Sequence, residues 1–142
     1  MPDYIMIKVY NLLHFAGIFL VYLGYGGLIF RAALGSEDKA LRKFGGMMSG
    51  IGLFLILLGG FGMHARLGYS HGDFWFLAKM VIFLVLGGSI ALINRKPALN
   101  KAWFFMTLAL GLIAAYMGSF KPTLGTSELA SEETIEATDT HE

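Results

Sequence analysis

The stretch FGGMMSGIGLFLILLGGFGM, residues 44–63, contains no Asp, Glu, Lys or Arg. A hydrocarbon core about 30 Å thick needs roughly 20 helical residues at about 1.5 Å each, so this run is long enough to cross it once. Residues 9–30 and 102–120 also lack these charges, and residues 74–94 carry only Lys79. Because the backbone in lipid must satisfy its own hydrogen bonds, each of the four runs predicts a transmembrane helix.

The overall composition agrees with a membrane protein. Of the 142 residues, 56% are hydrophobic and only 15% are charged, and the mean hydropathy is +0.62. A soluble domain of this size carries more charge on its surface. The absence of cysteine excludes disulfides and Cys-ligated metals. A net charge of +1 without an Arg/Lys-rich stripe argues against nucleic-acid binding.

The predicted fold is an all-α membrane protein, an antiparallel four-helix transmembrane bundle with a polar C-terminal tail. We expect its helices at about residues 4–33, 44–67, 74–94 and 102–120. Short connections make successive helices antiparallel neighbours, and Asp73 and Asn100 are the expected N-caps of the last two. Residues 1–122 thus form the membrane domain. Residues 123–142 contain six acidic side chains and predict a solvated acidic tail outside the membrane.

The positive charges predict an orientation in the membrane. Four crossings put both termini on one side, and cytoplasmic loops are enriched in Lys and Arg. The two hairpin loops and the adjoining helix ends hold seven of the eleven basic residues, namely Arg31, Lys39, Arg42, Lys43, Arg95, Lys96 and Lys101. We therefore expect a multi-pass protein of a bacterial inner membrane, with cytoplasmic hairpin loops and with both termini in the periplasm.

Glycine is abundant, with 19 residues, many of them inside the predicted spans. Gly46 and Gly50 have the spacing G-x-x-x-G, although the next position in that series is the bulky Phe54. Small residues let helix backbones approach closely, or leave room for a flat ligand. Besides membrane lipid, the expected partners are other membrane protein subunits or further copies of the chain.

Polar residues inside a membrane are costly and mark candidate sites. His14 lies in the first helix, on a face that it shares with Tyr10 and Asn11 and with several small residues. His64 lies near the outer end of the second helix and Lys79 about one and a half turns into the third, while His71 lies in the loop between these helices. All four basic side chains fall in the outer half of the bilayer or at its surface. We expect a polar pocket that opens outward, with His14 at its floor, several ångströms deeper than His64.

Three interpretations of this pocket remain open. In the first, His14 and His64 are metal ligands of a b-type haem, Tyr10, Asn11 and Lys79 also line the cofactor site, and Lys79 or Arg66 pairs with a propionate. In the second, His14 and Lys79 belong to a proton or quinone site. In the third, His14 bonds to a backbone carbonyl or a tyrosine, while the other cations extend to the headgroups. No catalytic motif is present, so enzymatic activity stays open.

The segment KVYNLLHFAG, from Lys8 to Gly17, resembles the first helix of several small bacterial membrane families. These are the SirB-like proteins, the HemJ-type protoporphyrinogen oxidases and the CopD-like copper-resistance proteins. The stretches WFLAKM from Trp75, GGSIALINRKP from Gly87 and GSFKP from Gly118 are most similar to the SirB-like group. The resemblance covers about residues 5–122.

Each resemblance implies a different role. The SirB-like one implies a four-helix membrane protein of unsettled function. The HemJ-type one implies haem binding and protoporphyrinogen oxidation, with His14 and Lys79 as the matching positions. Here, however, no histidine follows Lys79 in the third helix, and the P-R-L pattern after the first helix is missing. The CopD-like one implies copper handling, whereas the methionines of this chain are scattered.

Taken together, these features predict a small membrane protein associated with respiratory electron transfer or haem, with His14 as ligand or proton-handling group. The alternative is a non-catalytic accessory subunit that packs by its glycine faces against a larger membrane complex.

Overall fold

A computed structural model of the chain describes residues 2–68 and 72–120. Within these residues there is no strand, and the chain forms four long α-helices. They are α1 (Asp3–Ala33), α2 (Lys39–Leu67), α3 (Phe74–Ile93) and α4 (Asn100–Phe120), with a short 3-10 helix at Pro97–Leu99. The predicted all-helical fold is confirmed. All four helices are long and apolar enough to cross a membrane. The predicted acidic tail and His71 lie outside the described residues.

The second helix begins five residues earlier than predicted, at Lys39 instead of residue 44. The Asp38 carboxylate caps it, accepting hydrogen bonds from the backbone N–H of Ala40 at 2.8 Å and of Leu41 at 3.2 Å. A capped first turn is helical whether or not it lies in lipid, and the absence of charge alone could not locate it. Gly68, in the left-handed region at φ 67°, ends the helix.

The fourth helix also differs at its start. Asn100 is the first residue of α4 rather than its N-cap. Its side-chain Nδ2 donates to the carbonyl of Pro97 at 3.2 Å and so bonds the preceding 3-10 turn. Asp73 occupies the predicted N-cap position of α3, and the backbone N–H groups of Phe76 and Leu77 donate to its carbonyl at 3.0 Å.

The most extensive helix contact in the chain joins α1 and α2. A Cβ atom added to Gly17 would lie 2.6 Å from the carbonyl oxygen of Gly52, and one added to Gly52 would lie 2.7 Å from that of Gly17. A Cβ at Gly59 would lie 2.6 Å from the backbone nitrogen of His14. The two backbones therefore touch, and they can do so only where side chains are missing.

These glycines recur every seven residues, at Gly17 and Gly24 on α1 and at Gly45, Gly52 and Gly59 on α2. Gly17 meets Gly52, whereas Gly24 meets Gly45, so the numbers rise on one helix as they fall on the other. The pair is therefore antiparallel. A seven-residue repeat keeps one face of each helix against its partner along a left-handed supercoil.

The G-x-x-x-G pair of the sequence is not part of this contact. A Cβ at Gly46 or at Gly50 would meet nothing within 4 Å. Gly45 and Ser49, one position earlier, are buried against Gly24 instead. Two small residues four apart occur on both faces of α2, the covered one and the open one. The motif alone therefore does not show which face α1 covers.

The third and fourth helices pack on this hairpin less extensively. The hydroxyl of Tyr22 donates to the backbone carbonyl of Thr107 at 2.9 Å and links α1 to α4. About one turn further along α1, Tyr25 and Leu28 are fully buried in a cluster with Ile93 of α3, on which Trp103 of α4 also packs. Only 6% of the apolar segment of α4 is buried, against 22–33% for the other three helices.

Replacing a glycine of the α1–α2 contact should destabilise the protein more than replacing one outside it. Gly17→Ala places a Cβ against the backbone of α2, and we expect overpacking to cost about 1–3 kcal/mol of unfolding free energy. Gly50→Ala, the matched control in α2, meets open space and should be neutral or stabilising. Thermal unfolding in mild detergent measures both, and an equal loss in the two variants would contradict the packing described here.

Candidate functional site

The imidazole of His14 is held against the backbone of α2. Its Nδ1 lies 2.8 Å from the carbonyl oxygen of Ile56, in a half-buried position. A Cβ at Gly60 would lie 3.4 Å from the same ring. The ring therefore lies over the α1–α2 seam where Gly59 brings the two backbones together. The third interpretation of the sequence named a backbone carbonyl as a partner of His14, and the structure contains this bond.

The bond fixes the tautomer of His14. A carbonyl oxygen only accepts, so Nδ1 carries the proton and donates it to Ile56. In the neutral ring the lone pair is then on Nε2, which keeps it for a second partner. Histidines that ligate metals are commonly oriented in this way, with the other ring nitrogen donating to a backbone carbonyl. The orientation is thus compatible both with a structural bond and with a ligand role.

Tyr10 and Asn11 share one turn of α1 but differ in their surroundings. Tyr10 is half-buried, and its ring packs so closely on Gly62 of α2 that a Cβ there would overlap it. Asn11 is exposed. Of the two residues predicted to line a cofactor site beside His14, Tyr10 therefore lies in the α1–α2 seam and Asn11 on the open surface of the helix.

His64 lies in an aromatic cluster with α3. Its side chain is 3% exposed, and its ring stacks on Phe76 with centroids 4.1 Å apart and an interplanar angle of 24°. Trp75 lies 6.1 Å away. His64 follows Gly60 by one helical turn, or about 6 Å along α2. The two histidines therefore occupy different levels, His14 on the α1–α2 seam and His64 between α2 and α3.

Lys79 of α3 lies at the same end of the helices as His64. Its ammonium lies 5.6 Å from the centroid of the Trp75 ring, within the range of a cation–π contact. A Cβ at Gly118 of α4 would lie 3.0 Å from its Nζ. Lys79 therefore lies between α3 and α4.

A shallow groove of about 420 Å³ lies on the same half of the hairpin. Its lining is apolar and comes mainly from α2, with Tyr10 of α1 at one edge: Tyr10, Phe54, Leu57, Leu58, Phe61 and Gly62. His14, His64 and Lys79 are not among the lining residues. The groove is thus distinct from the polar pocket that the sequence predicts around His14.

Several polar contacts were not foreseen from the sequence. Tyr22 bonds α1 to α4, and its ring leans into the space that Gly111 leaves open. Arg66 forms an ion pair with Asp3 at 2.6 Å and so joins the ends of α1 and α2. The only sequence signal for the Tyr22 bond is a tyrosine in mid-span, since a buried hydroxyl seeks a partner. Arg66 was considered for a propionate, but here it is paired with a carboxylate.

Metal-ligating residues are sparse in the part of the chain that the structure describes. Across residues 2–68 and 72–120, no three His, Cys, Asp or Glu side chains come together as a metal site. A porphyrin iron needs only one or two protein ligands, and His14 has the orientation of one.

Comparison with known proteins yields no relative. The chain matches no family model, no curated protein and no solved structure. The assignment of function therefore depends on the residues and contacts described above.

Substitutions at His14 separate its structural bond from any ligand role. In His14→Asn the amide nitrogen takes the place of Nδ1 and keeps a donor for Ile56, whereas His14→Ala removes it. We expect His14→Ala to lose about 0.6–1.7 kcal/mol of unfolding free energy and His14→Asn to lose little. Unfolding in mixed detergent micelles measures the difference. An equal loss in both variants would argue that the bond to Ile56 contributes nothing to stability.

Proposed function

We propose that the chain is an integral membrane protein that crosses the bilayer four times as an antiparallel bundle. Its helices are 31, 29, 20 and 21 residues long, and a crossing needs about 20. Many of their large apolar side chains are exposed, as lipid-facing side chains are. The charge distribution supports cytoplasmic hairpin loops, and in a bacterial inner membrane both termini would then lie in the periplasm.

We further propose that this bundle binds a redox group, a b-type haem, through His14. The observation that carries the proposal is the bond from His14 Nδ1 to the Ile56 carbonyl at 2.8 Å. It orients the ring and leaves the Nε2 lone pair for an iron atom. The tight glycine contact closes the α1–α2 seam, so a flat group would enter on the side of α3 and α4, where packing is looser.

The described residues fit one histidine ligand for a haem better than two. His14 has an oriented ring at half-buried depth, whereas the His64 ring is stacked on Phe76 and is 3% exposed. To act as a ligand, His64 would have to leave that stack. Lys79 can compensate the charge of a propionate from its position between α3 and α4. Tyr10 holds the hairpin closed beside His14.

When bound, a haem supplies one-electron chemistry. The residues of this chain would hold it, orient it and keep water away from it. His14 has a neutral tautomer fixed by Ile56, and apolar side chains surround that level of the hairpin. A relationship to the SirB-like family, and more distantly to the HemJ-type and CopD-like families, belongs to the same proposal. In a second form of the proposal, His14 belongs to a quinone or proton site, and its Nε2 accepts a proton instead of binding a metal.

The second candidate function is a non-catalytic accessory subunit. It is supported by α4, whose apolar segment is only 6% buried, and by Gly46 and Gly50, which face open space. A helix with so little contact inside its own chain is available to another membrane protein or to a second copy. In this role His14 would only join α1 to α2.

An absorption spectrum decides between the two functions. We expect the full-length protein, expressed with added haem and purified in mild detergent, to show a b-type α-band after reduction with dithionite. The band should disappear in His14→Asn, which keeps the structural bond but lacks an imidazole. It should persist in His64→Ala if His14 is the ligand on which binding depends.

Two results would contradict the haem proposal. One is a featureless spectrum from folded, haem-supplied protein. The other is an unchanged band in His14→Asn. A colourless protein that is stable only when a second membrane protein co-purifies with it would favour the accessory role.

A further inference from the structure

At the ends of the helices that lie opposite to the His14 site, an arginine has hydrogen-bond donors without an acceptor among the described residues. Arg31 lies in the last turn of α1, and its two terminal nitrogens donate to the Ser36 carbonyl at 2.6 Å and to Asn94 Oδ1 at 3.0 Å. Its Nε–H is buried and has no hydrogen-bond partner among the residues that the structure describes. A guanidinium has five N–H donors, so each terminal nitrogen keeps a second N–H beyond these two contacts.

Two more cations directly follow Asn94, the partner of this guanidinium, along the chain. Asn94, its partner, is the C-cap of α3, and the exposed residues Arg95 and Lys96 follow immediately. The Lys96 carbonyl accepts a hydrogen bond from the Trp103 indole at 3.3 Å, which ties this turn to α4. The three basic residues therefore lie on a corner formed by the ends of α1 and α3 and the start of α4. We refer to Arg31, Arg95 and Lys96 as the basic corner.

The basic corner has no acidic partner in the part of the chain that the structure describes. Within residues 2–68 and 72–120, none of its three cations forms an ion pair with an acidic side chain. The nearest acidic residues in sequence to Arg31 are Glu37 and Asp38. Asp38 caps α2 through two hydrogen bonds, and Glu37 is exposed. Within the described residues, the three cations are therefore available to an anionic ligand.

We infer that the basic corner binds a phosphate group. The planar guanidinium fork matches phosphate oxygens, and two flexible cations beside it can contact the remaining ones. The bound group is the headgroup of an anionic phospholipid or a free phosphate. Basic pockets between helix ends on the cytoplasmic side of a membrane are suited to lipid headgroups. The basic corner adjoins the hairpin loops, which are predicted to be cytoplasmic. The lipid source rests on the proposed membrane location, whereas the phosphate chemistry does not.

The test uses the full-length protein in mild detergent, with native mass spectrometry and thermal unfolding as readouts. The probes are phosphatidylglycerol, the neutral lipid phosphatidylcholine, and inorganic phosphate. We expect phosphatidylglycerol to bind more tightly than phosphatidylcholine. The double variant Arg95→Gln/Lys96→Gln should weaken phosphatidylglycerol binding about thirtyfold, as expected for two cations at an anionic surface. Arg31→Lys, which keeps the charge but not the fork, should also weaken it.

The matched control is Lys39→Gln/Arg42→Gln, which removes the same charge from the predicted cytoplasmic side at the start of α2. Its lipid binding should stay within about twofold of wild type. An equal loss in the control would overturn the site, because binding would then reflect diffuse attraction. Equal affinity for the two lipids, without stabilisation by inorganic phosphate, would also overturn it.

The remaining outcomes support the inference and identify the source. Selective binding of phosphatidylglycerol without a response to inorganic phosphate assigns a lipid headgroup. Stabilisation by inorganic phosphate that Arg95→Gln/Lys96→Gln abolishes assigns a general phosphate site. The haem spectrum should be unchanged in Arg95→Gln/Lys96→Gln. A failure of the phosphate proposal is therefore distinguishable from a failure of the haem proposal.

Discussion

The backbones of α1 and α2 touch where Gly17 meets Gly52, and the rest of the structure depends on that contact. A side chain at either position would lie within about 2.7 Å of a backbone atom of the other helix. The same close approach, continued to Gly59, brings His14 near enough to donate to the Ile56 carbonyl. In lipid there is little hydrophobic gain in joining two apolar helices, so close packing and hydrogen bonds must hold the hairpin.

The two halves of the structure consequently differ in character. The α1–α2 hairpin is closed, whereas α3 and α4 attach through separated contacts: Tyr22 with Thr107, His64 with Phe76, and Arg31 with Asn94. Packing on that side is looser, and Lys79 lies there between α3 and α4. The basic corner lies at the other end of the same helices. A redox site at one end and a phosphate-binding site at the other would serve different purposes in one small protein.

The sequence predicted the number and approximate positions of the helices because charge-free runs of about 20 residues have one stable arrangement in lipid. It did not locate the start of α2, since Asp38 caps the helix ahead of the apolar run. It singled out Gly46 and Gly50, while the contact uses Gly45 and Gly52, because spacing does not reveal which face a partner covers. His14 was predicted as a polar residue needing a partner, but which carbonyl it reaches depends on the register of two helices. His64 was grouped with His14 by depth, and its stack on Phe76 required the position of α3.

Whether four helices cross a membrane with both termini outside is tested most directly by labelling single cysteines with a membrane-impermeant maleimide. The chain contains no cysteine of its own, so each introduced one reports a single position. In intact spheroplasts, Gly72→Cys and Ser131→Cys should react, and Ser36→Cys and Ala98→Cys should react only after the membrane is opened. The reverse pattern would contradict the orientation, and reaction of all four positions from one side would contradict the crossings themselves.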